Sequence, residues 1–152
     1  MAYYHTQRGR FHWLLLLLGL AAAFGSIFLF EESGPPVALA VGLAGLLMVG
    51  ASLCFAHLTV REEGKRLTVR FGPLDLVGTS VRYADIRSFR TARSRWIDGF
   101  GIHWLPGRGW IWNLWGFDCV ELEVEGRRGP LRIGTDDLEG LARHLGDRTR
   151  GG

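Results

Sequence analysis

Two apolar runs, Phe11–Phe30 and Val37–Ala56, decide what this chain can become, because neither holds a Lys, Arg, Asp or Glu. A helix rises about 1.5 Å per residue, so some 20 residues cover the roughly 30 Å hydrocarbon core of a bilayer. Only Glu-Glu-Ser-Gly-Pro-Pro separates the runs. The pattern predicts a transmembrane helical hairpin over residues 11–57, with helices at 11–30 and 37–57 after a polar lead at 1–10. The apolar stretch through Phe24, Ile27, Phe28 and Phe30 outlasts a signal-peptide core, and a second run follows at once. An uncleaved anchor is therefore expected.

The flanking charges set the orientation. Arg8 and Arg10 precede the first run, Arg61, Lys65, Arg66 and Arg70 follow the second, and the connecting turn carries only Glu31 and Glu32. The positive-inside rule places both termini in the cytoplasm of a multi-pass protein of the cell membrane. Tyr3, Tyr4, Phe11 and Trp13 read as interfacial anchors. Ala21/Gly25, Ala38/Gly42 and Ala40/Ala44 are small residues four apart that allow close helix packing, within the hairpin or between copies of the chain. His12 and His57 sit at the two cytoplasmic helix ends, where facing imidazoles would suit a metal or haem.

From Leu58 the period changes to two. Leu58/Val60 and Leu67/Val69/Phe71 alternate with polar residues around a Glu-Glu-Gly-Lys turn, and Val120/Leu122/Val124 oppose Glu121/Glu123/Glu125. The Glu row is expected on an exposed face opposite Arg127, Arg128 or Arg132. Strands are also expected around Ser88–Arg90, Gly101–Trp104 and Trp110–Leu114. Leu138, Leu141, Ala142 and Leu145 fall on one helix face, with Asp136 as N-cap, Glu139 three residues on and Gly146 as the stop. This gives a domain over 58–146 and a flexible tail at 147–152.

Two clusters stand out as candidate sites. Arg82, Arg87, Arg90, Arg93 and Arg95 fall within fourteen residues, and anionic lipid attracts such a cluster on a tethered domain. Five of six tryptophans, Trp96, Trp104, Trp110, Trp112 and Trp115, lie in one Gly-rich stretch. They serve either as core filling or as a face for a partner. Cys54 and Cys119 form no CxxC pair and read as reduced, buried thiols. No P-loop, HExxH, GxSxG or complete dinucleotide-binding glycine pattern is present. The reading is thus non-enzymatic, with no cofactor and no nucleic-acid partner.

Leu67-Thr-Val-Arg-Phe-Gly72, Val81-Arg-Tyr-Ala-Asp-Ile86, Gly99-Phe-Gly-Ile-His-Trp104, Val120-Glu-Leu-Glu-Val124 and Leu131-Arg-Ile-Gly-Thr-Asp136, behind a two-helix anchor, resemble the bacterial pleckstrin-homology-like membrane proteins. The resemblance covers about Leu58 to Leu145 and the hairpin. It implies two roughly orthogonal antiparallel sheets capped by a C-terminal helix, and a scaffold that binds proteins, peptides or lipid headgroups. The expected function is a cytoplasmic-leaflet binding module that recruits a protein partner. The alternative is a small accessory subunit of a membrane redox or transport complex, with His12 and His57 as ligands.

Overall fold

The computed structural model describes residues 2–95 and 99–149. Two long apolar helices, α1 (His12–Glu32) and α2 (Pro35–Cys54), pack against each other along their length. Both are long and apolar enough to cross a membrane. The reversal is tighter than the sequence suggests: α1 runs on through Glu31 and Glu32, and α2 starts with Pro35 at its first position. Proline suits that position because its missing N–H would be unpaired there anyway. Gly34, at φ 85°, makes the turn between them.

The helices touch through backbone. A Cβ on Gly45 would stand 2.6 Å from the Ala23 nitrogen and 2.7 Å from the Gly19 carbonyl oxygen. Ala38/Gly42 faces the partner helix as its spacing suggests, with Ala38 buried and Gly42 against Ser26. The other two pairs do not. Ala21, Ala40 and Ala44 are exposed, and nothing lies within 4 Å of a Cβ on Gly25. Gly19 and Ala23 of α1 meet Gly45 of α2 at the closest point of the seam.

The polar lead is a strand, β1 (Tyr4–Arg8), which pairs antiparallel with β2 (His57–Glu63) in the register Tyr4↔Arg61 to Arg8↔His57. The helical hairpin is therefore inserted between two adjacent strands. His57 belongs to β2 rather than to the end of the second helix, which stops three residues earlier. β3 (Arg66–Phe71) and β4 (Val77–Arg82) complete a sheet of order β1-β2-β3-β4. After a 3-10 turn at Tyr83–Asp85 come β5 (Ile86–Arg93), β6 (Gly101–Leu105), β7 (Gly109–Asn113), β8 (Asp118–Val124) and β9 (Leu131–Gly134). These form a second sheet of order β5-β8-β9-β7-β6. It is mixed, not antiparallel throughout, because β7 and β9 run parallel with Trp110 beside Leu131.

Leu58, Val60, Leu67 and Val69 of the first sheet meet Trp112, Val120, Leu122 and Ile133 of the second in one core. Helix α3 (Leu138–Thr149) adds Leu141 and Leu145, both fully buried, and packs on β5, β8 and the 3-10 turn. Asp137 caps it, its carboxylate accepting from the Gly140 N–H at 3.1 Å, one residue later than the capping-box spacing places the cap. The helix does not stop at Gly146. It continues to Thr149, where Arg148 pairs with Glu62, so the expected tail is helical as far as it is described.

Candidate functional site: a tryptophan–arginine cleft

The β6–β7 hairpin sorts the tryptophans by depth. Cross-strand pairing sets Ile102 against Trp112 and, two residues further along the same face, Trp104 against Trp110. Trp112 is buried in the core beside Phe71, ring centroids 5.9 Å apart. The next pair has run past the edge of the core, leaving Trp104 49% and Trp110 43% exposed. The β8–β9 turn brings Arg127 and Arg128 to these rings, and the four side chains line a cleft of about 380 Å³. Arg127 donates to Thr79 Oγ1 at 3.0 Å, which ties the turn to β4 and fixes one wall.

Trp115 has a different place. It meets Phe11 at 4.8 Å and stacks on Phe100 at 5.6 Å, forming an aromatic collar at the start of α1. Trp96 lies outside the described residues.

The arginine cluster is matched by acids. Arg82 forks onto Asp85 through Nε and Nη2, at 2.8 and 2.9 Å. Arg87 reaches Glu125 at 2.9 Å, Arg90 holds Glu121, and Arg93 faces Asp118 at 4.0 Å. Arg95 stands exposed just beyond β5. Four of the five arginines of this stretch therefore face a carboxylate.

Glu121 departs from the expected exposed row. Register places it between Arg90 on β5 and Arg132 on β9, and it is only 4% exposed. Burial alone would raise its pKa. The hydrogen bonds from Arg90 at 2.9 Å and Arg132 at 2.6 Å outweigh that and hold the carboxyl below its usual range.

A second polar group joins the first strand to the last helix. Tyr3 donates to Asp137 at 3.1 Å and stacks on His144, and the Tyr83 hydroxyl meets His144 Nε2 at 2.8 Å. Glu62 lies 3.5 Å from the same nitrogen. Burial lowers the His144 pKa more than Glu62 raises it, which favours the neutral ring between Tyr83 and Glu62. Burial, with the charge of Glu62 behind it, raises Tyr83 to about 12. Both phenols keep their protons (Tyr3 is raised through burial and Asp137) and serve as hydrogen-bonding groups, so the group reads as a latch.

Cys54 and Cys119 are free thiols, the second buried. His12 Nδ1 donates to the Gly9 carbonyl at 2.8 Å. Among the described residues, no three of His, Cys, Asp and Glu converge as a metal site. Arg127, Arg128 and the latch were not legible as site residues. By sequence the first two pair with the Glu row, and Tyr3 lies in a stretch with no apolar period.

No family model, curated protein or solved structure matches this chain.

Proposed function

We propose that this chain is a non-catalytic, membrane-anchored binding module of the pleckstrin-homology-like kind. The helical hairpin crosses a bacterial inner membrane, both termini lie in the cytoplasm, and the domain recruits a protein partner at the leaflet surface. The observation that carries the binding role is the cleft: two large rings half-exposed, paired across the β6–β7 hairpin, with Arg127 and Arg128 lining the same hollow. Tryptophan and arginine are the side chains that most often anchor interfaces, and a rigid site loses little entropy on binding. The occupant this chemistry fits is an acidic segment with an aromatic or aliphatic anchor. The membrane part draws support from leucines and phenylalanines facing outward all round the helices, Phe28 at 76% and Leu47 at 75% exposed, which water does not favour.

The pairing of Arg82, Arg87, Arg90 and Arg93 with carboxylates favours the cleft over the arginine row as the principal contact. Anionic lipid then plays an orienting part only.

The test is photocrosslinking in intact membranes with a photoreactive residue at Trp110, followed by mass spectrometry. One recurrent protein is expected, its yield lost with Trp104→Ala or Arg128→Glu. Crosslinks to lipid alone, or to nothing, overturn the partner reading.

A further inference from the structure

Very little chain separates the helices from the sheet. β1 ends at Arg8 and α1 begins at His12, while α2 ends at Cys54 and β2 begins at His57. Even these few residues are not slack, since the Gly9 N–H donates to the Ala56 carbonyl at 2.9 Å and extends the β1–β2 ladder toward the helices. Fully extended, three residues span only about 10 Å. A domain joined this closely, at two points, has no freedom to stand away from the plane where the helices end.

What surrounds that joint is apolar. On the α1 side lies the collar of Phe11, Phe100 and Trp115. On the α2 side lies the β3–β4 loop. A Cβ on Gly72 would stand 3.1 Å from the Cys54 Cα, so the loop starts in contact with the last turn of the helix. Leu74 and Leu76 follow within a few residues, 68% and 77% exposed. Between them Asp75 adopts φ 52°, a left-handed conformation uncommon for a residue with a Cβ. Arg61 holds it there through a 3.0 Å hydrogen bond to its carboxylate. The loop is pinned, and it presents two leucines that the core does not use.

We infer that the β3–β4 loop, through Leu74 and Leu76, is a membrane-seating element that enters the bilayer interface beside α2. Together with the aromatic collar on the α1 side, it fixes the tilt of the domain on the leaflet. This rests on the proposed insertion of the helical hairpin. Lipid is the occupant because the loop starts against the end of a span and the joint cannot lengthen. Aromatic and aliphatic side chains at such a level lose unfavourable contact with water by entering the interfacial zone. A fixed tilt also gives the cleft a constant height above the membrane, which a partner that is itself membrane-bound would require.

The experiment uses the full chain in phosphatidylethanolamine–phosphatidylglycerol vesicles. An encoded environment-sensitive fluorescent amino acid replaces, one at a time, Leu74, Leu76, Leu47 or Gly64, and lipids carry a spin label at shallow or deep positions. Leu47 lies seven residues inside α2, about 10 Å below its end, and Gly64 lies at the far turn of the β2–β3 hairpin, about 20 Å along the strand. The expected result is a blue shift at positions 74 and 76 and loss of emission mainly with the shallow label. Position 47 loses emission mainly with the deep label, and position 64 with neither. If position 47 responds but 74 and 76 behave like 64, the seating element is refuted and the anchor stands. If position 47 does not respond, the membrane reading fails and this inference fails with it.

Discussion

Replacing Glu121 with leucine tests the claim that this carboxylate is held as a buried charge rather than displayed as a reactive one. Arg90 is 72% exposed along its side chain, so water compensates it when the carboxylate goes. Arg132 is 12% exposed, so water reaches it far less. Breaking a buried pair typically costs about 3–5 kcal/mol. With one of the two cations solvated, the low end applies, and Glu121→Leu is expected to cost about 3 kcal/mol. For a domain of this size that lowers the melting temperature by on the order of 10–20 °C. Arg132→Met alone is expected to cost less, since Arg90 still neutralises the carboxylate. Glu121→Leu/Arg132→Met removes both charges beside Ile111, the apolar neighbour of Arg132 on β7, and recovers most of the loss. The coupling should be about 2 kcal/mol. The assay is thermal unfolding of the full chain in micelles followed by tryptophan fluorescence, with Trp112 as the core reporter. Additive losses in the double variant, within about 0.5 kcal/mol, would refute the pairing. The pH sign agrees with the same picture. The Glu121 carboxyl is held below its ordinary 4.5, so its contribution is complete above that value and is lost as pH falls through the lowered one.

The helix seam predicts a crosslink: a Cβ on Gly42 would lie 3.5 Å from that of Ser26, within disulfide range, so Ser26→Cys/Gly42→Cys should oxidise readily. Adding Gly45→Val, whose side chain would press on the Ala23 and Gly19 backbone, should abolish that bond on non-reducing gels. Trp112→Ala should cost about 3–5 kcal/mol in thermal unfolding. Trp104→Ala and Trp110→Ala should stay near 1 kcal/mol or below, because their rings are already half in water. The latch gives a pH dependence. His144, lowered by burial and facing Tyr3, Tyr83, Glu62 and Arg148, contributes fully above its ordinary 6.5 and loses that stability as pH falls toward its lowered value. His144→Gln should flatten the melting temperature between about pH 5 and 7.

What could be read from the sequence follows from which side chains report their surroundings. The two helices were legible because 20-residue runs without charge have few other uses. β2, β3 and β8 were legible because Leu58/Val60, Leu67/Val69 and Val120/Leu122 alternate against polar partners. β1 was not, since its inward residues are His5 and Gln7, with Tyr3 just ahead of the strand. Gln7 is 3% exposed, satisfied in part by the Trp115 carbonyl at 2.7 Å, and leaves no apolar trace. Glu121 was misplaced for a related reason. Alternation tells which residues share a face, but not that β8 lies inside its sheet with long cations on both neighbours. The tryptophans were visible as a group. Their division among core, cleft and collar depends on how far the β6–β7 hairpin overruns the core, which only pairing sets.

Insertion of the helices between β1 and β2 has a consequence for any soluble version of the domain. Cutting at Leu58, where the apolar pattern suggests a boundary, discards β1. The β2 edge then loses its ladder, Tyr3 no longer covers His144, and Gln7 no longer holds the Trp115 carbonyl. An exposed edge beside uncovered aromatic rings is a template for association. The alternative is to join Gly9 to Ala56 through a two-residue Asn-Gly turn. These two residues are already hydrogen-bonded at 2.9 Å, so the turn closes an ordinary antiparallel hairpin. The joined version is expected to be monomeric in size-exclusion chromatography and to unfold cooperatively. The version beginning at Leu58 is expected to aggregate or to melt at least 10 °C lower, as about 2 kcal/mol of lost contacts would require. If the two behave alike, β1 is an ornament on the sheet. The helices would then be attached to the domain rather than threaded through its fold.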